Sequence, residues 1–235
     1  MAEPRSSVAS RVLSVLGAIE RARGPLQVSQ IAESTGLPLA TAWRMVRELV
    51  EWGGVEQLDD GRYRIATRVW AVGSSAPCVR RIQRDSSRLL RDLATETGRG
   101  VHLSVLDQDS ALVVSTAAPG GRVPPGAVQE GDRLTGDDPA ARLLAAFGGS
   151  ADDLPEPLRE IRRHGLSVGR TGPAGTTSMS VGIANPAGAV VSALTLTGPA
   201  GVAWQRLVPA LREAGAAVRY SIYREELPAA ERRAR

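Results

Sequence analysis

Four hydroxyl side chains alternate along two stretches of the C-terminal half, and their spacing suits the binding of a small polar molecule. Ser178 and Ser180 lie two residues apart, as do Thr195 and Thr197. Because side chains at i and i+2 of a β-strand share a face, each stretch would present a pair of hydroxyls on one side of a sheet. Together with backbone N–H groups at a helix start over 137–140 and a covering loop, they could hold an anionic or polar ligand. The same spacing also fits ordinary solvated strand positions.

Catalytic chemistry finds little support among the residues of this chain. There are two histidines, His102 and His164, and one cysteine, Cys78. No Gly-x-Ser-x-Gly sequence surrounds the two serines, and the glycines of 165–175 do not follow a strand in a βαβ unit. We therefore predict no catalytic residue, no cofactor and no metal site. An enzyme with an appended helical domain is the hypothesis that these residues favour least.

A different function, the reading of DNA, is indicated by residues 26–53. A short apolar-faced helix is predicted to stop at Thr35-Gly36-Leu37, and Pro38 opens a second helix. Gly36 suits the left-handed residue of a steep turn between two helices. The second helix has one apolar face, formed by Ala42, Met45, Val46, Leu49 and Val50. This is the helix-turn-helix pattern, in which the second helix enters a DNA major groove.

The flanking segments complete a winged helix. An apolar stripe predicts a helix from about Ser10 to Arg21, with Ser10 as its N-cap. Downstream, two short strand-like runs surround Asp59-Asp60-Gly61, and an Asp-Gly between such runs is a strong hairpin signal. Three helices and a two-stranded wing predict a DNA-binding domain over residues 8–66.

The positive charge of the chain is modest. All 29 basic residues are arginines, and the formal net charge is only +4. Residues 1–75 hold nine arginines against eight acidic residues, so the DNA-binding prediction rests on the motif and not on a charged field. Farther along the chain, Arg80, Arg84, Arg88 and Arg91 form one stripe on a predicted helix, which suits either a solvated face or contacts to DNA phosphates. With no apolar stretch of about 18 residues and no signal-peptide pattern, we predict a cytoplasmic protein without membrane contact.

The second half predicts an α+β domain, an antiparallel sheet with flanking helices. A half-buried strand over 101–105 is followed by a hairpin partner at 111–115 and a long loop over 117–138. The remaining predicted elements are helices over 139–147 and 154–163, a glycine-rich loop over 165–175, strands over 177–184 and 189–197, and a helix over 203–224. This domain covers residues 98–226, with linker helices at 67–97 before it and a polar, Arg-rich tail at 227–235 after it.

These residues resemble the IclR family of bacterial transcriptional regulators. The N-terminal likeness lies in Ser10-Arg11-Val12-Leu13, Gln30-Ile31-Ala32, Thr35-Gly36-Leu37-Pro38 and Thr41-Ala42-Trp43-Arg44; the C-terminal likeness lies in Thr97-Gly98, Val101-His102-Leu103 and the run from Ser192 to Pro199. The resemblance implies a homodimer, or a dimer of dimers, that binds a palindromic operator, more often as a repressor. It further implies a GAF-like C-terminal domain that binds a small-molecule effector, an organic acid or a related metabolite.

The resemblance also implies individual site residues. The DNA-binding set is Ser10, Arg11, Thr41, Trp43, Arg44, Arg47, Arg62 and Arg64, and the effector-binding set is Asp138, Pro139, Ser178, Ser180, Thr195 and Thr197. The chain departs from the family pattern at Leu39, where a basic residue is common, at Ala140-Ala141, where Gly-Lys is usual, and at 169–173, where an acidic run is common. A C-terminal domain that binds no ligand and serves only dimerisation or protein contacts is the alternative hypothesis.

Overall fold

The computed structural model of the chain contains two compact units, which divide between Pro77 and Cys78. The structure describes residues 7–22, 24–74, 77–124, 126–150, 153–170, 176–201 and 203–227. Within these ranges, none of the helices is both long enough and apolar enough to cross a lipid bilayer.

The first unit is a winged helix-turn-helix domain, as predicted. Its elements are α1 (Val8–Ala22), α2 (Val28–Thr35), α3 (Leu39–Trp52), β1 (Val55–Gln57), β2 (Tyr63–Ile65) and α4 (Thr67–Ser74). One core joins the three helices and the wing, formed by Val15, Ile19, Ile31, Met45, Val46, Leu49, Val55 and Tyr63. Gly36 ends α2 with φ 67°, and the Leu37 N–H donates to the Ala32 carbonyl at 3.1 Å. This left-handed cap turns the chain sharply into α3.

Two predicted details of this unit are wrong. Ser10 is not the N-cap of α1, because the Ser7 hydroxyl accepts the Ser10 N–H at 3.0 Å and the helix begins at Val8. Val50 is not part of the buried face of α3 but is 37% exposed. At about 100° of rotation per residue, Val50 lies about 80° around the helix from Ala42, at the edge of the apolar stripe.

The second unit is a six-stranded antiparallel sheet with helices on both faces, which confirms the predicted α+β class. The strand order is β5-β4-β3-β8-β7-β6. The elements are α5 (Pro77–Thr97), β3 (Gly100–Asp107), β4 (Ser110–Ala117), β5 (Arg133–Leu134), α6 (Pro139–Gly148), α7 (Glu156–His164), β6 (Leu166–Arg170), β7 (Thr176–Ala184), β8 (Val190–Pro199) and α8 (Val208–Tyr223). The segment predicted as linker helices therefore contributes α4 to the first unit and α5 to the second.

The two faces of the sheet differ in chemistry. One face is aliphatic and packs against α5 and α8 through residues such as Leu103, Met179, Leu194 and Leu211. The other face carries the hydroxyls and lies against α6, whose side chains form a separate cluster with Ala111, Ile161 and Ala193. Residues 101–104 are buried without alternation, so the prediction of a half-buried β3 is wrong there. Helices cover both faces at this point, which removes the solvated side that alternation requires.

The prediction of a glycine-rich loop over 165–175 is wrong for residues 166–170. Leu166–Arg170 forms the edge strand β6, which pairs with β7 from Leu166↔Val181 to Arg170↔Thr177. Backbone pairing to a neighbouring strand overrides the local signal of its glycines. Residues 171–175 and the predicted tail from residue 228 onward lie outside the described residues, as does the side chain of Cys78.

Candidate functional site

The side of α3 opposite its buried face carries arginines and an aromatic ring. Because Met45, Val46 and Leu49 pack into the core, Trp43, Arg44 and Arg47 are exposed, while Thr41 is half-buried. The Arg47 guanidinium lies 5.1 Å from the centroid of the Trp43 ring and 3.4 Å from the Glu51 carboxylate. Within the described ranges Arg44 has neither a hydrogen bond nor an ion pair. On the exposed surface of α3, the Arg47 guanidinium thus contacts Trp43 and Glu51, while the Arg44 guanidinium has no partner among the described residues.

The two wing arginines are paired with carboxylates of the same hairpin. Arg62 donates from Nε to Asp60 Oδ2 at 2.7 Å, and Arg64 donates to Glu56. The Arg62 hydrogen bond holds the pKa of the Asp60 carboxyl below its ordinary value. All four side chains are largely exposed, so these pairs are weak in water and can exchange the carboxylate for a phosphate. Ser10 and Arg11 lie in the first turn of α1, with Ser10 exposed.

The four predicted effector hydroxyls share one face of the sheet but bond to one another. Ser178 and Thr197 are cross-strand partners with their oxygens 3.0 Å apart, and Ser180 and Thr195 are partners at 2.8 Å. Ser178, Ser180 and Thr195 are fully buried. The solvated interpretation of these positions is therefore wrong, and each pair satisfies its own hydrogen bonds under α6.

The helix start predicted to offer backbone donors is also largely engaged. The Asp138 carboxylate caps α6 by accepting the Ala140 N–H at 2.9 Å, and the Asp138 N–H donates to the Thr135 carbonyl at 3.3 Å. Pro139 has no N–H to offer. Gly169 of β6 lies close by, where a side-chain Cβ would come 3.3 Å from Pro139 Cγ. The close approach of α6 to the sheet leaves little room for a ligand at this point.

A cavity of about 390 Å³ lies at the neighbouring end of the sheet. Its walls are the start of β3, the ends of β4 and β8, and the loop after β4. The polar lining residues are Arg99, His102, Thr116, Arg122 and Thr197, and the loop adds the apolar residues Ala118, Val123, Pro124, Ala127 and Val128. Of the six predicted effector residues, Thr197 is the one among these lining residues. The covering loop predicted over 117–138 forms one wall.

Sequence reasoning missed His102 as a site residue, although a polar side chain inside an apolar strand was a usable signal. His102 is 2% exposed, and burial lowers its pKa from 6.5 to about 4, while the Asp138 carboxylate acts in the opposite direction. Among the described residues its Nε2 has no hydrogen-bond partner, and the same holds for Ser104 Oγ, Ser167 Oγ and Arg99 Nε. Buried polar atoms normally have partners. His102 and Arg99 thus belong to the lining of the cavity, and each has one buried nitrogen without a partner among the described residues.

The stability of the second unit should depend on pH through His102. In the folded chain His102 stays neutral down to about pH 4, whereas an unfolded histidine is protonated below about 6.5. The unfolded chain binds more protons within this window, so the free energy of unfolding falls as pH falls through it. At pH 5 the loss relative to pH 7.5 is about 2 kcal/mol.

Urea denaturation of the wild type and of His102→Gln at these two pH values measures this contribution. The comparison cancels the titration of the carboxylates, which both proteins share. An equal decrease in both proteins would show that His102 is not held neutral by burial.

The Ser180–Thr195 pair predicts a non-additive effect on stability. Thr195→Val removes one hydroxyl and leaves Ser180 Oγ buried without a partner, which costs about 1–3 kcal/mol. Adding Ser180→Ala removes the second hydroxyl and should restore part of that loss. A double-mutant cycle from urea denaturation measures the coupling. Strictly additive losses would mean that the two hydroxyls do not depend on each other.

The chain is similar to known proteins in both sequence and fold. The IclR helix-turn-helix domain matches residues 8–59. The chain is similar to the glycerol operon regulatory protein of Streptomyces coelicolor, with 36% identity over 107 residues, which are 45% of this chain and 41% of that protein. It is also similar to the transcriptional repressor IclR of Escherichia coli, with 31% identity over 100 residues, 42% of this chain and 36% of that protein. The matching part thus spans about two fifths of the length of these relatives.

The fold similarity extends over nearly the whole chain. An IclR homolog from Microbacterium hydrocarbonoxydans, solved in complex with 4-hydroxybenzoate, superposes with a TM-score of 0.79 at 24% identity, covering 93% of this chain and 100% of that one. The domain match covers α1 to β1 and ends before the second strand of the wing, and the structural match covers both units. Residues 8–59 therefore form an IclR-type helix-turn-helix domain, and the chain shares the fold of the solved IclR homolog over both units.

Proposed function

We propose that this protein is a DNA-binding transcriptional regulator whose C-terminal domain binds a small-molecule effector. The observation that carries the proposal is the exposed face of α3, where Arg44 has no partner among the described residues and Arg47 is held over Trp43. A buried core on the opposite side presents this face as the recognition surface of a winged helix. The named functions of the similar proteins, among them a repressor and an operon regulatory protein, support the same role.

The DNA-binding side chains fall into two groups by what they offer. Arg44 and Arg47, with Thr41 and Trp43 beside them, lie on the helix that enters the major groove and contact base edges. Ser10 and Arg11 on α1 and the wing arginines Arg62 and Arg64 contact the phosphate backbone, which sets the register of the protein on the duplex. Arg62 and Arg64 exchange Asp60 and Glu56 for phosphate on binding.

One chain supplies one recognition helix, so we propose that the protein binds as a homodimer or a dimer of dimers. Two helices read the two halves of a palindromic operator, whose centres lie about 34 Å apart, one turn of the duplex. The protein acts as a repressor in the cytoplasm, where the genome is accessible. It requires no cofactor or metal for this role and catalyses no reaction.

The effector binds in the cavity at the end of the sheet. Arg99 and Arg122 bring positive charge to it, and the apolar loop residues provide a surface for a hydrocarbon body. An organic acid or related metabolite matches this lining, with Thr197 and His102 as further hydrogen-bond partners. The complex of the Microbacterium homolog with 4-hydroxybenzoate supports a small-molecule effector for a protein of this fold. Ser178, Ser180 and Thr195 lie in the sheet under α6, and Asp138 and Pro139 lie at the start of α6; none of the five lines this cavity.

A second candidate function is a regulator whose C-terminal domain binds no ligand and only holds protein chains together. The observation that favours it is the closure of the hydroxyl face, where Ser178–Thr197 and Ser180–Thr195 satisfy each other and Asp138 caps α6. A thermal-shift assay against a panel of carboxylic acids distinguishes the two. A ligand at 100 times its Kd stabilises the folded protein by about 2.7 kcal/mol. No shift with any acid would favour the second candidate.

The test of DNA binding is the selection of duplexes from a random library by the full-length protein. We expect a palindromic sequence to be enriched, and fluorescence anisotropy to give a tighter Kd for it than for a shuffled duplex of equal composition. The affinity should fall with salt, since phosphate contacts release counterions. Sedimentation of the complex gives the number of chains for each duplex. If no sequence is enriched over the input, the proposed function is wrong.

A further inference from the structure

We propose that Leu39 and Trp43 read thymine 5-methyl groups in each half of the operator, beside the base contact of Arg44. This inference rests on the proposed DNA-binding function and adds the class of base pair that α3 recognises. It assigns a role to two large apolar side chains that are exposed on a helix of a small domain. Leu39 is 55% exposed and Trp43 is 47% exposed.

The placement of these side chains forms one continuous ridge. Leu39, Trp43 and Arg47 follow at i, i+4 and i+8, so each lies one turn above the last on the same side of α3. Leu39 is the first residue of the helix, with Pro38 as its N-cap. The N-terminal residues of a recognition helix are the ones that reach base edges in the major groove. Leu39 and Trp43 therefore lie at the end of α3 that reaches the bases, and Arg47 lies one turn beyond Trp43.

The chemistry of the ridge selects one feature of the major groove. Thymine carries the 5-methyl group, the apolar contact in the direct readout of base pairs there. A branched aliphatic chain and an indole ring can bury such a methyl, but Leu39 offers no donor or acceptor to a base. Leu39 therefore offers an apolar contact, and this contact distinguishes thymine from cytosine.

The contact between Arg47 and the Trp43 ring supports the same role. The Arg47 guanidinium lies over the Trp43 ring at 5.1 Å, so one side of the indole is already in contact before any DNA is present. Fewer rotamers are then lost when the ring meets a base. Arg44 lies about 100° around the helix from Trp43, on the adjoining surface. We infer that each half-site contains thymines next to the guanine that Arg44 contacts.

The experiment uses the enriched operator and replaces its thymines by deoxyuridine, one symmetric pair at a time. Deoxyuridine keeps every hydrogen bond of thymine and removes only the methyl group. For the wild type we expect one or two of these symmetric pairs to weaken binding about fifteenfold, because each pair removes two contacted methyls at about fourfold each. Replacements at other positions should leave the Kd unchanged.

The variants Leu39→Ala and Trp43→Ala provide the matched arm. Each should bind the thymine operator more weakly than the wild type, yet lose little further affinity when the contacted thymine becomes deoxyuridine, because the methyl has no partner left. Both side chains are exposed, so thermal unfolding should be nearly unchanged and shows that each variant is folded.

Two results would overturn the inference while leaving DNA binding intact. One is a wild-type Kd that changes by less than twofold for every deoxyuridine pair in an operator that the protein binds. The other is an equal deoxyuridine penalty in the wild type and in both variants, which would assign the methyl contact to other residues. A protein that enriches no duplex at all would instead contradict the proposed function itself.

Discussion

Replacement of Arg44 by alanine should reduce the affinity of the protein for its operator by about 2–6 kcal/mol when both half-sites are occupied. A bidentate arginine–guanine contact contributes about 1–3 kcal/mol of discrimination, and a dimer on a palindrome makes this contact twice. Arg44 is exposed and, within the described part of the chain, has no partner that must be broken first. Fluorescence anisotropy with the enriched operator at fixed salt measures the change in Kd.

Arg206→Ala is the matched control, because it removes the same charge from an exposed position of the second unit, outside α3. It should change the Kd for the operator by less than about twofold to threefold. Binding of Arg44→Ala to a shuffled duplex should also decrease much less than its binding to the operator. Similar losses on both duplexes would mean that Arg44 contacts phosphates and reads no base.

Leu143→Ala should destabilise the second unit by about 2–5 kcal/mol. Leu143 is fully buried on α6, in a cluster that includes the small residues Ala140 and Ala193, and Gly182 of β7 lies beside it. Because these neighbours are small, they cannot fill the space that the lost isobutyl group leaves. The measurement is the free energy of unfolding from urea denaturation followed by circular dichroism.

Leu106→Ala provides the same chemical change at a position that is 42% exposed. Its expected loss is below about 1 kcal/mol, since a half-solvated leucine leaves little cavity behind. If the two variants lost equal stability, α6 would not be packed on the sheet as the structure has it. A free energy of unfolding for Leu143→Ala equal to that of the wild type would lead to the same conclusion.

Local patterns were sufficient to predict the first unit. The apolar spacing of α3, the left-handed turn at Gly36 and the Asp-Gly hairpin of the wing are set by neighbours within about eight residues in the chain. Helices and tight hairpins depend mainly on such short-range interactions. The sequence misplaced only the start of α1 and the burial of Val50, where one hydroxyl and a few tens of degrees of helix rotation decide the outcome.

The sequence also determined that the four hydroxyls of β7 and β8 share a face, because alternation along a strand requires it. Their role depended on which side chains lie opposite them and on which helix covers them. Cross-strand register places Ser180 opposite Thr195, and α6 covers both, so the hydroxyls bond to each other in a dry environment. Neither the register nor the covering helix is encoded within either strand.

The cavity and the state of His102 were decided by the tertiary structure alone. Arg99, Arg122 and Thr197 are far apart in the chain and come together only because β3 pairs with both β4 and β8 and the loop after β4 folds over their ends. Likewise, nothing near His102 in the sequence lowers its pKa; burial under packed elements does. Burial and long-range proximity are properties of the packed sheet, so a reading of local spacing cannot contain them.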